Sequence, residues 1–136
     1  MSDVVESARP KVLLVDDCIR ERDMYEAVLE TEFNVVTAAR GLEALAIAAT
    51  ERPDAVVLDV MMPGLDGWET CTRLKVDPAT ADTPVVLLTG VNDPDLFDHA
   101  MAVGADGVEN KPCSADRLLE RIHGVITKRG KAVWGS

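Results

Sequence analysis

The sequence lacks the features of a secreted, membrane-bound or nucleic-acid-binding chain. No segment approaches the ~20 apolar residues of a membrane span, and the N-terminus has no apolar stretch of signal-peptide length. Its 136 residues carry 14 Lys and Arg against 24 Asp and Glu, a net charge of −10, with no basic run before residue 128. Such a surface repels a phosphate backbone. We therefore expect a cytoplasmic protein that binds neither membranes nor nucleic acid directly.

Cysteine and histidine are also scarce, and their spacing fits no metal or redox motif. Cys18, Cys71 and Cys113 are odd in number and widely spaced, so they predict reduced thiols rather than a disulfide framework or a CxxC site. His99 and His123 have no other metal-ligand type at useful spacing and are expected at the surface. The absence of GxGxxG after the first apolar run argues against a dinucleotide-binding domain.

What the sequence does contain is an alternation of apolar strands and amphipathic helices, with enough hydrophobic residues (47%) for one core. Short apolar runs predict five strands, at 11–15, 34–38, 55–58, 84–88 and 107–109. The signals that bound the helices are Arg40-Gly41 and Pro53, Asp66 with Glu69, Asp93 with Pro94, Gly104, and Ser114. Strict alternation predicts an α/β fold: a doubly wound, five-stranded parallel sheet with five helices, in a flavodoxin-like three-layer sandwich.

Apolar residues at helical spacing predict which helix faces are buried. In the fourth helix, Leu96, Phe97, Ala100 and Met101 are predicted to share one face. The predicted inward face of the fifth helix consists of Leu118, Leu119, Ile122, Val125 and Ile126.

Polar side chains follow four of the strands where each strand ends: Asp16, Asp17, Asp59, Thr89 and Lys111. Ligands of such sheets bind beyond the carboxyl ends of the strands, near the switch point of the strand order. Three carboxylates brought together repel one another, so the site needs a cation, and Mg²⁺ suits oxygen ligands. Mg²⁺ and Lys111 opposite a carboxylate form a pattern typical of phosphoryl transfer, with Asp59 as nucleophile.

The chain resembles response-regulator receiver domains of two-component signalling systems, of the stand-alone, chemotaxis-regulator-like kind, over about residues 10–128. The motifs that carry the resemblance are VLLVDD, TAARGLEAL, DVMMPGLDGWE, PVVLLTG, GADGVENKP and SADRLLERI. The resemblance implies that Asp59 is phosphorylated. It implies that Asp17, Asp59 and the backbone carbonyl of Met61 bind Mg²⁺, and that Asp16 assists the metal through water.

The resemblance also implies that Thr89 contacts the bound phosphoryl group, that Lys111 pairs with a phosphoryl oxygen, and that Lys111–Pro112 is a cis peptide. The expected donor is a histidine kinase or histidine phosphotransfer protein. The domain would catalyse only its own phosphorylation and dephosphorylation, and signal to a downstream protein target as a monomer or weak dimer. Cys18, Ile19 and Arg22 are either candidates for docking the donor or ordinary helix-face residues.

Two positions depart from the family, Val108 and Cys113, and two others bear on the lifetime of the phosphorylated state. Val108 stands where receivers commonly carry Tyr or Phe, so an aromatic swing cannot report phosphorylation here. Either another part of the face formed by the fourth helix and fifth strand is the switch, or the protein is a relay. Cys113 replaces a frequent Phe and is expected to be a buried packing variant.

Met61 lies two residues beyond the phospho-acceptor Asp59, and Val91 lies two residues beyond Thr89. Neither can orient an attacking water, so we expect a long-lived phosphorylated state.

Two other functions fit parts of the pattern. A haloacid-dehalogenase-type phosphatase or phosphotransferase also uses a strand-end aspartate with Mg²⁺, but Met61 stands where its DxD motif needs a second acid. A receiver-like binding module without phosphorylation is disfavoured by the complete set of five polar residues. We expect a flexible N-terminal segment at 1–9, the receiver domain at 10–128 and a C-terminal tail at 129–136, which is either a frayed end, a linker stub or a docking peptide.

Overall fold

A computed structural model describes residues 9–90 and 93–131, with side chains as far as Lys128. The strands are β1 (Lys11–Val15), β2 (Asn34–Ala38), β3 (Ala55–Asp59), β4 (Val85–Thr89) and β5 (Gly107–Asn110). The helices are α1 (Ile19–Leu29), α2 (Gly41–Glu51), α3 (Gly67–Val76), α4 (Leu96–Ala102) and α5 (Ala115–Lys131). The strands form one parallel sheet in the order β2-β1-β3-β4-β5, which confirms the predicted doubly wound fold. The strand order reverses between β1 and β3, which makes this the switch point.

The sheet is buried on both faces because successive strand residues point to opposite sides. On one face α2, α3 and α4 cover strand residues such as Leu13, Leu58 and Leu87. On the other face α1 and α5 cover strand residues such as Val12 and Val57. The central strands β3 and β4 are buried over their whole length, as their unbroken apolar runs predict. The polar strand-end residues are therefore set on a rigid frame.

Several predicted helix ends are confirmed. The carboxylate of Asp66 accepts a hydrogen bond from the backbone N–H of Glu69 at 2.9 Å and caps α3. The hydroxyl of Ser114 accepts one from Arg117 N at 3.3 Å at the start of α5. After α4, Gly104 adopts a φ of +83°, in the left-handed region that favours glycine at a helix end. Three of the five predicted inward residues of α5 are buried, and the other two are partly buried against the same core.

The predicted start of α4 was wrong. The helix begins at Leu96, because the Asp93 carboxylate accepts from Asp95 N at 2.8 Å and forms a turn before the helix. Of the predicted apolar face only Ala100 is buried, whereas Phe97 and Met101 are 69% and 65% exposed. A helix of only 7 residues contacts the core chiefly through Ala100 and leaves its larger apolar side chains, Phe97 and Met101, exposed.

The predicted surface histidines and free cysteines are confirmed. His99 is exposed on α4, and its ring stacks on Trp68 of α3 with the centroids 3.8 Å apart. His123 is exposed and pairs with Glu32 at 2.6 Å. All three cysteines are unpaired. Cys113 is only partly buried, and burial raises the pKa of its thiol.

A buried acid ties β5 to α5. Glu109 is 5% exposed, and its two carboxylate oxygens accept from Arg117 Nε at 2.6 Å and Arg121 Nε at 2.8 Å. Burial opposes the charge of Glu109, but the two arginines outweigh it and hold the pKa of the carboxyl below its ordinary value. The C-terminal strand and helix are thereby joined through side chains as well as through the chain.

Two of the predicted segments fall largely outside the described residues. Of the expected N-terminal segment, only Arg9 is described, and its guanidinium donates to the carbonyl of Glu30 at 2.9 Å. α5 continues to Lys131, so the expected tail begins inside the helix, and residues 132–136 lie outside the description. Among the residues that the structure describes, no helix is long and apolar enough to cross a membrane.

Candidate functional site

The fold brings the five strand-end residues to one edge of the sheet. Asp16 and Asp17 directly follow β1, Asp59 and Thr89 are the last residues of β3 and β4, and Lys111 directly follows β5. Asp16, Asp59 and Thr89 are buried, whereas Asp17 is exposed. One carboxylate oxygen from each of the three aspartates lies within 4.8 Å of the other two. The site is therefore open to solvent at Asp17.

Lys111 is held in contact with the aspartates. Its Nζ lies 3.1 Å from Asp16 Oδ2 and 3.1 Å from Asp59 Oδ1, and it also donates to Glu21 Oε1. The backbone N–H of Lys111 donates to the carbonyl of Thr89 at 2.8 Å, which fixes the lysine beside the end of β4. The Lys111–Pro112 peptide is cis, as the resemblance implies.

The electrostatics of the site oppose the ionised form of Asp59. Burial raises the pKa of Asp59 to about 6, and the charge of Asp16 adds to the increase. The hydrogen bond and charge of Lys111 act against it, as does the hydrogen bond with the Met61 backbone. Burial likewise disfavours the charge of Lys111, but its hydrogen bonds with the carboxylates outweigh burial and raise its pKa above the ordinary value. A further cation would lower the free energy of the ionised site.

Local backbone contacts fix the acids in place. Asp16 Oδ1 accepts from the backbone N–H of Cys18 at 2.9 Å, and the Asp16 carbonyl accepts from Arg22 Nη1 at 2.8 Å. A Cβ on Gly67, the first residue of α3, would lie 2.4 Å from the carbonyl oxygen of Asp59, closer than real Cβ atoms come. Glycine at this position therefore lets α3 approach the end of β3 directly behind Asp59.

The structure gives fewer contacts with the site for the residues predicted to act as the switch or to set the lifetime of the phosphorylated state. Val108 is partly buried and packs against the core face under α4. The Met61 side chain is 62% exposed, and Val91 lies outside the described residues. Among the docking candidates, Ile19 is 65% exposed, but Arg22 is partly buried and bound to Asp16. The roles of these residues stay predictions.

Sequence reasoning missed Glu21 as a residue of the site. It lies in the first turn of α1, two residues after the helix begins and four after Asp17. The signal was present in the sequence, because a helix that starts two residues beyond strand-end acids returns its first turn to the same edge of the sheet. Its partner, Lys111, lies 90 residues further along the chain.

Comparisons with known proteins agree with this geometry. A family model described as the response regulator receiver domain matches residues 12–123. The chain is 37% identical over 135 residues to the probable transcriptional regulator ycf27 of Guillardia theta, covering 98% of this chain and 52% of that protein. It is 40% identical over 113 residues to the response regulator PleD of Caulobacter vibrioides, covering 82% of this chain and 25% of that protein. The chain thus spans about half or less of the length of these curated relatives.

Solved structures match over nearly their whole length. The chemotaxis protein CheY4 of Vibrio cholerae superposes with a TM-score of 0.81 at 37% identity, covering 87% of this chain and 99% of that one. A putative response regulator from Chloroflexus aurantiacus gives a TM-score of 0.83 at 32% identity, covering 88% and 98%.

Proposed function

This chain belongs to the response-regulator receiver family of two-component signalling, and we propose that Asp59 is its site of phosphorylation. The observation that carries the proposal is the contact of Lys111 Nζ with Asp59 Oδ1 at 3.1 Å, beside a cluster of three carboxylates at the end of a parallel sheet. Receiver domains interact with histidine kinases and with downstream effectors. A histidine kinase or histidine phosphotransfer protein is the proposed donor.

In the proposed reaction an Asp59 carboxylate oxygen forms a bond to phosphorus while the phosphorus–nitrogen bond of a phosphohistidine breaks, and the donor imidazole takes up a proton. Lys111 holds a positive charge beside the attacking oxygen and is placed to bind a phosphoryl oxygen. Thr89, buried at the end of the neighbouring strand, is the proposed contact of the phosphoryl group after transfer. The side chains act by position and charge, which is where most of the catalysis of phosphoryl transfer lies.

The site fits a hard divalent cation. Three carboxylate oxygens within 4.8 Å of one another are the ligand type that Mg²⁺ takes, and the site is open to water at Asp17. Asp17, Asp59 and the Met61 carbonyl are the proposed ligands, with Asp16 acting through water. The ion would neutralise charge on the carboxylates and the incoming phosphoryl group. In a metal titration, Asp17→Ala should weaken Mg²⁺ binding more than Asp16→Ala, and equal losses would contradict this ligand assignment.

The output is proposed to be a protein contact. The charge of −10 disfavours direct binding of nucleic acid by this domain, so regulation passes to a downstream protein, with the domain a monomer or weak dimer. The proposed location is the cytoplasm, where three unpaired thiols stay reduced. Its own phosphorylation and dephosphorylation are the only reactions that we assign to it. The exposed Met61 in place of a second acid leaves the phosphatase alternative without support.

Mass spectrometry after incubation with acetyl phosphate tests the proposal. The wild type should gain one phosphate in Mg²⁺ and none in EDTA, and Asp59→Ala should gain none. Asp23→Asn, which neutralises an exposed acid of α1, is the matched control and should behave as the wild type. A phosphate gain that survives Asp59→Ala would refute Asp59 as the acceptor.

A further inference from the structure

The ammonium group of Lys111 is shared by three carboxylates, and the proposed reaction uses only two of them. An ammonium has three N–H donors. The three acceptors within reach of Nζ are Asp16, Asp59 and Glu21. A phosphoryl oxygen that binds Lys111 must therefore take the place of one of these carboxylates.

Glu21 is the partner that can leave. The Asp16 side chain is 1% exposed and is also held by the backbone N–H of Cys18, and the 6% exposed Asp59 itself carries the phosphoryl group. The Glu21 side chain is 42% exposed at the end of a longer, more flexible arm. It can turn into water and lose little besides its contact with the lysine.

We propose that Glu21 is a positioning residue, which holds Lys111 in the resting domain and competes with the phosphoryl group for it. The inference rests on the proposed phosphorylation of Asp59. Its physical basis is charge as well as geometry: among the described residues, Asp16, Asp17, Asp59 and Glu21 place four carboxylates around Lys111. The fourth carboxylate favours a bound cation and disfavours a bound phosphoryl dianion.

Because the two effects are opposite in sign, one variant can distinguish competition for Lys111 from a general loss of structure. Glu21→Gln keeps the length of the side chain and an oxygen acceptor but removes the charge. It should weaken Mg²⁺ binding several-fold in isothermal titration. With Mg²⁺ saturating, it should tighten binding of beryllofluoride, a phosphoryl mimic followed by ¹⁹F NMR, on the order of tenfold. A variant that is merely misfolded would weaken both.

Two controls separate this role from general electrostatics. Asp23→Asn removes the same charge from an exposed position two residues along α1 and should change neither affinity. In a Lys111→Met background, Glu21→Gln should change beryllofluoride affinity by a smaller factor than in the wild type, because competition for the lysine is lost and only the charge effect remains. An equal factor in both backgrounds would show that Glu21 does not compete for Lys111.

The outcomes are distinguishable from those that test the proposed function. If the wild type binds beryllofluoride normally and Glu21→Gln leaves that binding unchanged or weakens it, Glu21 only orients the lysine. This result would overturn the inference but not the proposed function. A wild type that binds no beryllofluoride in Mg²⁺ would overturn the proposed function and this inference with it.

Discussion

Replacing Asp59 by asparagine should stabilise the metal-free domain at neutral pH. In the folded protein the Asp59 carboxylate is 5% exposed and lies close to the carboxylate of Asp16, and burial is the largest cause of its raised pKa. Lys111 compensates this only in part, since the pKa remains at about 6. Asparagine fills the same space without the charge.

The size and sign of the effect follow from the pKa of the carboxyl in the two states. The difference between 3.8 in the unfolded chain and about 6 in the folded domain corresponds to about 3 kcal/mol, at about 1.4 kcal/mol per pH unit. A raised pKa of an acid means that the wild type loses stability as the pH rises from about 4 to about 6, and stays less stable above that range. Relaxation around Lys111 reduces the stabilisation by asparagine. We therefore expect Asp59→Asn to raise the free energy of unfolding by about 1–3 kcal/mol at pH 7.5 and by less at pH 4.5.

Urea unfolding in EDTA at both pH values measures this difference. Asp23→Asn, at an exposed position of α1, is the control and should leave the free energy of unfolding nearly unchanged at both. Added Mg²⁺ should stabilise the wild type more than Asp59→Asn, because the variant has lost a ligand. A lower stability of Asp59→Asn than of the wild type in EDTA at pH 7.5 would refute this reasoning, as would a gain in free energy of unfolding that does not grow with pH. Either result would mean that the charge of Asp59 does not destabilise the folded domain.

Three further predictions concern the switch, the lifetime and the support of the site. Thr89→Ala should weaken phosphorylation-dependent binding of the partner protein, whereas Val108→Ala should leave it nearly unchanged; equal losses in a pull-down would make the valine part of the switch. Met61→Asn combined with Val91→Glu should release phosphate on the order of 10²-fold faster than the wild type, and an unchanged release rate in excess Mg²⁺ would show that these side chains do not set the lifetime. Gly67→Ala should destabilise the domain by about 1–3 kcal/mol in urea unfolding, since its Cβ would meet the backbone at the end of β3, and a stability equal to the wild type would mean that α3 can shift at no cost.

The sheet and its charged edge could be predicted because both depend on local sequence. Buried parallel strands need unbroken apolar runs, so β3 and β4 are visible as such, and the residues after them must lie at the carboxyl edge whatever the helices do. For the same reason Asp16, Asp59 and Lys111 could be assigned to one site before any distance was known.

The parts that could not be predicted depend on contacts between distant segments. The apolar spacing of α4 indicates which residues share a face, but not that the sheet accepts only Ala100 and leaves Phe97 and Met101 exposed. Glu21 joins the site only because α1 and the end of β5, 90 residues apart, meet above the same edge. Neither the buried Glu109 nor its two arginines could be distinguished from solvated charges by spacing.

The bonds of Glu109 with α5 have a consequence for how the site comes apart. Among the described residues, β5 is an edge strand that pairs with β4 alone, and Glu109 fastens it to the C-terminal helix. We therefore expect residues 107–131 to open as one unit, at the cost of exposing the face of the sheet that α5 covers, while the pairing of β1, β3 and β4 is kept. Such a partial opening would carry away Lys111 and leave the aspartates on β1 and β3 in place. Native-state hydrogen exchange should therefore show β5 opening at lower free energy than β3. The strands that carry the aspartates should stay protected after the strand that precedes Lys111 has opened.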